Sequence, residues 1–373
     1  MEKDYREDLV YTLALTQVKG IKSADIKKLM EGFPESKAIF EASSNALIKC
    51  LEPRRYVAAL SEAILRADNF DWAKGEIERS EKLGVSIISF RDEKYPGGLK
   101  FIPDPPPVLY MKGNIVPLDA VAIAIVGTRR ASNYGRTAAV RITKELARYN
   151  ITIVSGLARG IDSIAHRETL LAGGRTIAVM ATGADITYPP ENRKLREQIE
   201  ENGATVTEFP IGTQPLPWRF PVRNRIISGL SLGCLVVEAP QRSGALITAR
   251  VSMEYNRDVF AVPGNITSYR SKGCNMLIKD GAKPVTCAED ILEEMDVEFE
   301  KKNPSKLNFS ILNEDEKKIF CAIDEEGSIE ELIIQKFDTM PSFKVTAGLM
   351  QLQLKGFTKR LPGNVYVRMG ECQ

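Results

Sequence analysis

Glycines and arginines recur together directly after two apolar runs of the chain. The residues concerned are Gly127, Thr128, Arg129, Ser155, Gly156, Arg159 and Gly160. A glycine lets the backbone approach a ligand closely, and a guanidinium group can form two parallel hydrogen bonds with a phosphate. Each loop also leads into a helix-like segment, whose first N–H groups attract an anion. Two such loops side by side predict a site for a chain of phosphates rather than for a single one.

Two later segments, PWRFPVRNRIISG and QRSGALITAR, repeat this pattern. The candidate phosphate ligands in them are Arg223, Asn224, Arg225, Ser243, Gly244, Thr248 and Arg250. Trp218 and Phe220 stand among the arginines of the first segment, and an aromatic ring can stack on an unpaired base with about 1–3 kcal/mol. The alternative is that both rings are core anchors of a loop, and the sequence leaves both interpretations open.

Several kinds of chemistry have no signature in this sequence. It contains no G-x-G-x-x-G dinucleotide fingerprint, no G-x-x-x-x-G-K-[ST] phosphate loop and no acidic cluster of a two-metal nuclease after the apolar runs. The single histidine, His166, has no nucleophile or metal ligand beside it, so we predict a packed structural role. The six cysteines are scattered without a C-x-x-C pair, which argues against a zinc site and a disulfide framework. We therefore predict no catalytic residue, no metal and no cofactor.

Positive charge is concentrated in the central part of the chain. The net charge is +2 overall, but residues 119–290 hold 17 arginines and 5 lysines against 16 acidic residues. The excess is arginine, the residue best suited to bidentate recognition of phosphate. This balance indicates a nucleic-acid partner only weakly, and the position of the arginines in the loops strengthens the indication.

Six apolar, β-branched runs must position these loops. They lie at 120–127, 150–156, 175–183, 204–210, 233–240 and 258–264. Continuous rather than alternating hydrophobicity indicates strands buried on both faces, and helical patterns separate most of the runs. We predict an α/β fold whose extended Rossmann-like, doubly wound and mostly parallel sheet occupies residues 119–290. The loops at the carboxyl ends of its strands then share one edge, where such sheets bind ligands.

The segment before the sheet has a different character. Residues 1–95 show helical periodicity and are predicted to form a helical domain of the SAM or helix-hairpin-helix type. Within it, the turn VKGIKSADI either grips a phosphate with a helix start or is purely structural. A dense group of prolines then predicts an extended linker at 96–118.

The segment after the sheet begins with an acidic, polar stretch. It predicts a second linker at 291–310. Residues 311–368 show three short helical patterns followed by two strand-like runs, the outline of a winged helix. Four basic residues favour contact with DNA, namely Lys344, Lys355, Lys359 and Arg360. Many winged helices contact only proteins, so both roles stay open.

Targeting and membrane signals are missing from the sequence. No run of about 18 apolar residues occurs, and the acidic first segment lacks the basic and apolar regions of a signal peptide. We predict a cytoplasmic protein without membrane contact.

The motifs, taken in chain order, resemble those of a known family. VGTRRASNYG, SGLARGIDSIAH, FPVRNRIISGLS, VVEAPQRSGALITAR and SKGCNMLIKDGA are similar to the DNA processing protein A family, also called DprA or Smf. The similarity covers the central domain end to end, and the flanking segments are similar to the family's helical and winged-helix modules. Met180 and Ala181 stand where Leu-Gly is common. Ser23 replaces the second glycine of the hairpin, which weakens the case for DNA contact there.

The resemblance implies a non-catalytic protein that binds single-stranded DNA in the Rossmann-like pocket and forms a homodimer. It also implies that the protein loads the RecA recombinase onto DNA coated by single-strand-binding protein, usually in natural transformation. The arginine of the family's GTR motif falls on Arg129, and the basic residue of its SGLA-[KR]-GID loop falls on Arg159. The RNR segment falls on 223–225, and the SG-x-LITAR motif falls on 243–250.

Two functions of other classes remain as alternatives. The first is a nucleotide enzyme like the phosphoribohydrolases, which cleave the base from a nucleoside monophosphate beside a PGG-x-GT loop. The comparable loop here, RSGALITAR, lacks the Gly-Gly pair. The second is an adaptor whose terminal modules dock partners while the central pocket is vestigial.

Overall fold

The protein divides into two compact units, Met1–Phe299 and Glu300–Gln373. The computed structural model describes residues 2–53, 55–295, 311–324, 328–337, 340–361 and 364–368. No helix among these residues is long and apolar enough to cross a membrane.

A nine-stranded sheet forms the centre of the first unit. Its strands are β1 (Ser86–Ser89), β2 (Val108–Gly113), β3 (Ala122–Val126), β4 (Thr152–Ser155), β5 (Thr176–Val179), β6 (Ala204–Thr207), β7 (Gly233–Val236), β8 (Asp258–Ala261) and β9 (Lys283–Pro284). The strand order is β1-β2-β6-β5-β4-β3-β7-β8-β9, and every neighbouring pair from β6 to β9 is parallel. The predicted mostly parallel sheet is confirmed. The chain direction across the sheet reverses between β3 and β7, which opens a crevice beyond their carboxyl ends.

Helices cover both faces of this sheet. They are α8 (Asn133–Arg148), α9 (Ile161–Leu171), α10 (Arg193–Asn202), α11 (Arg219–Gly229), α12 (Gly244–Glu254), α13 (Lys272–Lys279) and α14 (Glu289–Leu292). Alternate residues of β3 face opposite ways, as the pleat requires. Ala124 packs in one core with residues of α11, α12 and α13, and Ile123 packs in the other with residues of α8 and α9. Both faces of the strand are therefore buried, as its continuous hydrophobicity predicted.

Helices also form most of the N-terminal part, as the sequence predicted, but the helical domain predicted at 1–95 ends too late, because Ser86–Ser89 form strand β1 of the sheet. The helices are α1 (Glu2–Thr16), α2 (Ser23–Gly32), α3 (Ser36–Glu41), α4 (Ser44–Leu51), α5 (Val57–Leu65), α6 (Phe70–Lys82) and α7 (Gly97–Lys100). Leu13 of α1 and Ile77 of α6 share a hydrophobic core with Val108 and Tyr110 of β2. The N-terminal helices thus pack directly on the antiparallel edge of the sheet.

Two predicted boundaries need correction. The linker predicted at 96–118 contains β2, which pairs antiparallel with β6 and buries Val108, Leu109 and Tyr110. Prolines immediately before this apolar run obscured it, although proline is compatible with the start of a strand. The second linker was placed too early, because Ile291 and Met295 still belong to the hydrophobic core. Residues 296–310 of that predicted linker lie outside the described part of the chain.

The second unit has its own small core. It contains α15 (Glu314–Cys321), β10 (Ser328–Ile329), α16 (Glu330–Gln335), α17 (Ser342–Leu354), β11 (Thr358–Leu361) and β12 (Val365–Arg368). The three strands form an antiparallel sheet in the order β10-β12-β11. Phe320, Leu349 and Phe357 are fully buried at its centre. Cys321 is disulfide-bonded, a cross-link that the sequence did not predict, whereas Cys50, Cys234, Cys274 and Cys287 are free thiols.

Candidate nucleic-acid interface

The two glycine-and-arginine loops predicted to lie side by side touch each other. The N–H of Ile161, the first residue of α9, donates a hydrogen bond to the carbonyl oxygen of Thr128 at 3.3 Å. Gly160 has φ +78°, and a Cβ atom there would collide with the Thr128 carbonyl oxygen. Only glycine therefore permits this contact. The loops after β3 and β4 thus form one continuous edge of the sheet, which we call the rim.

Arg129 is an available cation on the rim. Its side chain is exposed, and its guanidinium carbon lies 5.3 Å from the centre of the Phe220 ring. Within the described residues it forms no salt bridge, whereas Arg159 in the neighbouring loop pairs with Glu191. A guanidinium that is held by a ring but has no counter-ion is suited to accept a phosphate.

Arg159, the cation of the second loop, already has a partner. Its Nε atom forms an ion pair with Oε1 of Glu191, which lies in a short 3-10 turn after β5. The hydrogen bond from Arg159 lowers the pKa of the Glu191 carboxyl, and the same bond raises the pKa of Arg159. Both side chains remain about half exposed. A phosphate can reach Arg159 only in competition with this carboxylate.

Arg223 lies beneath the loops rather than on them. Its Nη1 donates hydrogen bonds to the carbonyl oxygens of Gly156, at 2.8 Å, and of Val179, and the residue is 3% exposed. A Cβ atom at Gly156 would lie 2.6 Å from this guanidinium, so the glycine makes room for it. Burial lowers the pKa of Arg223 to about 10, with a smaller contribution from Arg129 and opposition from Asp162.

The charges at this point do not balance. Asp162 is the buried carboxyl beside Arg223, and its Oδ2 accepts a hydrogen bond from the Gly156 N–H at 3.2 Å. Burial raises the pKa of Asp162, and Arg223 acts against that rise. Two guanidinium groups, Arg129 and Arg223, thus face one carboxyl group. Asp162 balances the charge of the buried Arg223, so the surplus positive charge is that of the exposed Arg129, where a phosphate can reach it.

Aromatic rings flank this charge. The Phe220 ring packs against Tyr188 with centroids 5.5 Å apart, and Arg129 lies over it. Trp218 is 58% exposed and is contacted by Arg219, whose guanidinium carbon is 4.9 Å from the ring centre. Trp218 is therefore not a core anchor. Sequence reasoning missed Tyr188, although an aromatic residue in the segment that follows a predicted strand was a usable signal.

Several predicted ligands have other partners in the structure. The Ser155 hydroxyl donates to the carbonyl oxygen of Ile125 at 2.6 Å. Arg225 is 7% exposed and pairs with Glu208 and with Asp104. Thr248 is buried and faces α11, where its carbonyl oxygen accepts a hydrogen bond from the Ser228 hydroxyl at 3.4 Å. The side chains of Ser155 and Arg225 thus have partners within the fold, and Thr248 is buried, so we no longer assign these three residues to phosphate contacts.

The remaining predicted ligands differ in accessibility. Asn224 is buried beside its two arginine neighbours. The Ser243 hydroxyl caps α12 by accepting from the Ala245 N–H at 3.3 Å, and Gly244 next to it is exposed with open space around it. Arg250 is exposed, but it follows Thr248 by two residues and so leaves α12 on the side away from α11. Gly244 and Arg250 are reachable from solvent.

The start of α8 does not offer the anion site that the sequence predicted. The Glu238 carboxylate accepts hydrogen bonds there from the Ser132 N–H, at 2.8 Å, and from the Ser132 hydroxyl, at 2.6 Å. The chain thus supplies its own negative charge to the helix N-terminus. The start of α2 in the N-terminal hairpin is occupied in the same way, because the Asp25 carboxylate accepts from the Lys22 N–H at 2.8 Å.

His166 has the structural role expected of it. It is fully buried; its Nε2 accepts from the Leu157 N–H at 3.3 Å, and its Nδ1 lies 2.7 Å from the Thr176 hydroxyl. Since Nε2 is an acceptor, the ring proton sits on Nδ1. Burial, and then Arg223, lower the pKa of His166 from 6.5 to about 3.

This shift predicts a loss of stability in acid. The folded-state pKa of His166 lies below the unfolded value, so its contribution is complete above pH 6.5 and is lost as the pH falls towards 3. Between pH 7 and pH 5 we expect the free energy of unfolding to drop by about 2 kcal/mol through this group. Urea unfolding of the wild type and of His166→Gln at both pH values measures it. An equal drop in both proteins would contradict the assignment.

Comparison with known proteins agrees with this architecture. The family model of the DNA recombination-mediator protein A matches residues 86–296, from β1 to the end of the first unit's core. Protein Smf of Synechocystis sp. is 34% identical, over 96% of this chain and 98% of its own length. The X-ray structure of DNA processing protein A from Streptococcus pneumoniae has a TM-score of 0.67 and 35% identity, over 78% of this chain and 99% of that one.

A second solved structure concerns the same type of protein. It describes a single-stranded DNA binding mode of DNA processing protein A from Helicobacter pylori. Its TM-score is 0.51 at 30% identity, and the match covers 56% of this chain and 94% of that one. The rim loops all lie within the residues that the family model matches.

Proposed function

The chain belongs to the DNA recombination-mediator protein A family, and from this premise we propose that it binds single-stranded DNA along the rim. The phosphates contact Arg129 and Arg159, with the buried pair of Arg223 and Asp162 beneath them. The exposed Arg129, without a salt bridge in the described residues and set over a second cation, is the observation that carries this proposal. The order of the parallel strands supports a Rossmann-like sheet as the framework.

The aromatic rings support a single strand as the ligand. Tyr188, Phe220 and Trp218 lie beside the cations, and unpaired bases can stack on them. The bases of a duplex are already stacked on one another and paired, so they are not free to stack on these rings. The protein then holds strands by their backbone and bases without reading the sequence, and it needs no catalytic group for this task.

The wider role follows the family. We propose that the protein acts as a homodimer that protects single strands and loads a RecA recombinase on them in the cytoplasm, with single-strand-binding protein as a further partner. The H. pylori relative's described single-stranded DNA binding mode supports the first step of this role. Loading requires that the strand be held firmly and then released, which suits an interface of a few exposed contacts.

The C-terminal unit serves this role without contacting the DNA in our proposal. Three helices followed by an antiparallel sheet support the winged-helix prediction. The outward face of α17 is apolar, with Phe343, Met350 and Leu354 exposed on one side of the helix. An apolar face does not attract phosphates, so we assign this unit to protein contacts.

Removal of the exposed indole tests the stacking proposal. We expect Trp218→Ala to weaken binding of a single strand by about 1–3 kcal/mol, because one base loses its stacking partner. The salt dependence should not change, since no charge is removed. Fluorescence anisotropy with a labelled oligonucleotide measures both quantities. Phe343→Ala removes an equally exposed ring from the C-terminal unit and serves as the control; equal effects of the two variants would contradict the proposal.

Competition tests the proposed function as a whole. A labelled single strand bound to the full chain is displaced by unlabelled single strand, by duplex of the same length or by AMP. We expect the single strand to compete best and AMP to have little effect. A chain ending at residue 296 should bind the strand as the full chain does, since the rim lies within the first unit. Efficient displacement by AMP would instead favour a nucleotide enzyme, and loss of binding in the shortened chain would favour an adaptor.

A further inference from the structure

The carboxylate on Arg159 is held in place by the fold. Glu191 belongs to the turn Pro190–Asn192, and the next residue, Asn192, is buried. The Asn192 side-chain amide donates to the carbonyl oxygen of Leu157, at 2.8 Å, and to the Ser163 hydroxyl, at 2.9 Å. Leu157 precedes Arg159 in the second rim loop, and Ser163 follows it in the first turn of α9. These two hydrogen bonds fix the turn against the second rim loop. The Arg159–Glu191 ion pair joins the same two segments.

The two exposed cations of the rim therefore differ in whether a carboxylate already neutralises them. Arg129 has no salt bridge among the residues described, whereas Arg159 is neutralised by Glu191. A phosphate that binds Arg129 displaces only water and mobile ions. A phosphate that binds Arg159 must displace a carboxylate that cannot diffuse away, because its backbone is fixed within reach.

We infer that Glu191 is an intramolecular competitor of the DNA backbone for Arg159, which loosens the strand and speeds its release. The inference rests on the proposed function. A tethered competitor acts at a local concentration of about a millimolar or more, whatever the surrounding solution contains. When a phosphate leaves Arg159 for a moment, the carboxylate takes its position, and the strand is then held at fewer points.

The size of the effect follows from the exposure of the pair. A half-exposed ion pair contributes about 0.2–1 kcal/mol, which corresponds to a change of about 1.4-fold to 5-fold in affinity. The salt dependence gives a second signature. With Glu191 present, a phosphate bound at Arg159 replaces one anion by another, so this contact adds little to the release of ions. Without Glu191 it counts as a full contact, worth about 0.7 in the log–log slope for a single strand.

The experiment uses the full chain with Glu191→Gln. Anisotropy at several salt concentrations and stopped-flow dissociation are measured with a labelled single strand. We expect the variant to bind about 1.4–5 times more tightly, to release the strand more slowly by a similar factor, and to have a slope steeper by about 0.7. Glu197→Gln makes the same charge change at a similarly exposed glutamate that pairs with Arg193, and it should leave the slope as in the wild type.

A second background separates direct competition from a general charge effect. When the protein already carries Arg159→Ala, adding Glu191→Gln should change the affinity and the salt slope no more than adding Glu197→Gln does. If Glu191→Gln tightens binding equally in that background, or has no effect on the wild type, the inference is wrong. Failure of the wild type itself to bind single-stranded DNA would instead overturn the proposed function, so the two failures are distinguishable.

Discussion

Replacing both Arg129 and Arg159 with alanine is expected to weaken the binding of single-stranded DNA by about 100-fold or more. Each guanidinium supplies charge-assisted hydrogen bonds to a phosphate, and a hydrogen bond to a charged group contributes about 1.5–3 kcal/mol. Both side chains are exposed on the rim, so the fold does not depend on them. The log–log salt slope should also become shallower, by about 0.7 for the lost Arg129 contact, whereas the Arg159 contact exchanges one anion for another and adds little to the slope.

A matched control exists on the other edge of the sheet. Arg141 and Arg148 lie in the second half of α8, which runs back towards the amino ends of the strands. Arg141→Ala with Arg148→Ala removes the same net charge far from the rim. This control should bind nearly as the wild type does. If both double variants lose affinity equally, the binding depends on overall charge and the rim is not the interface.

Removal of the buried guanidinium is expected to have the largest effect on stability. In Arg223→Met the Asp162 carboxyl loses the cation beside it, and the carbonyl oxygens of Gly156 and Val179 lose their donor. Breaking a buried charge pair on one side costs about 3–5 kcal/mol. We therefore expect the free energy of unfolding in urea to fall by about that amount at pH 7.

The origin of this loss can be tested by removing the second charge as well. Arg223→Met combined with Asp162→Asn leaves no unpaired buried carboxylate, so the double variant should be more stable than Arg223→Met alone. Arg250→Met removes an exposed arginine and should change the stability by less than about 0.5 kcal/mol. A double variant less stable than Arg223→Met alone would show that the carboxyl is not the source of the cost.

The strands and their shared edge were predictable because they depend on local patterns. Each apolar run between β3 and β8 became a strand, and the loops that follow β3 and β4 meet at Gly160. β2 was missed because a short apolar run next to several prolines has the composition of a linker. Its partner β6 is almost a hundred residues away, and no local pattern shows that pairing.

The roles of individual arginines were less predictable, because residue type does not show which partner the fold supplies. Arg223 and Arg225 are two residues apart on α11 and leave the helix in opposite directions. One meets backbone carbonyl groups under the rim, and the other meets Glu208. The ion pair between Arg159 and Glu191 is likewise a contact between separate loops. Only the three-dimensional structure distinguishes an available arginine from one that is already paired.

Photochemical cross-linking identifies most directly which part of the protein the single strand contacts. An oligonucleotide carrying 5-bromodeoxyuridine is irradiated in complex with the wild-type chain, and the attached peptides are identified by mass spectrometry. Aromatic side chains that stack on bases are the expected points of attachment. The account predicts cross-links to the peptides that contain Tyr188, Trp218 and Phe220. Cross-links confined to the N-terminal helices before residue 54, or to residues 311–368, would contradict it.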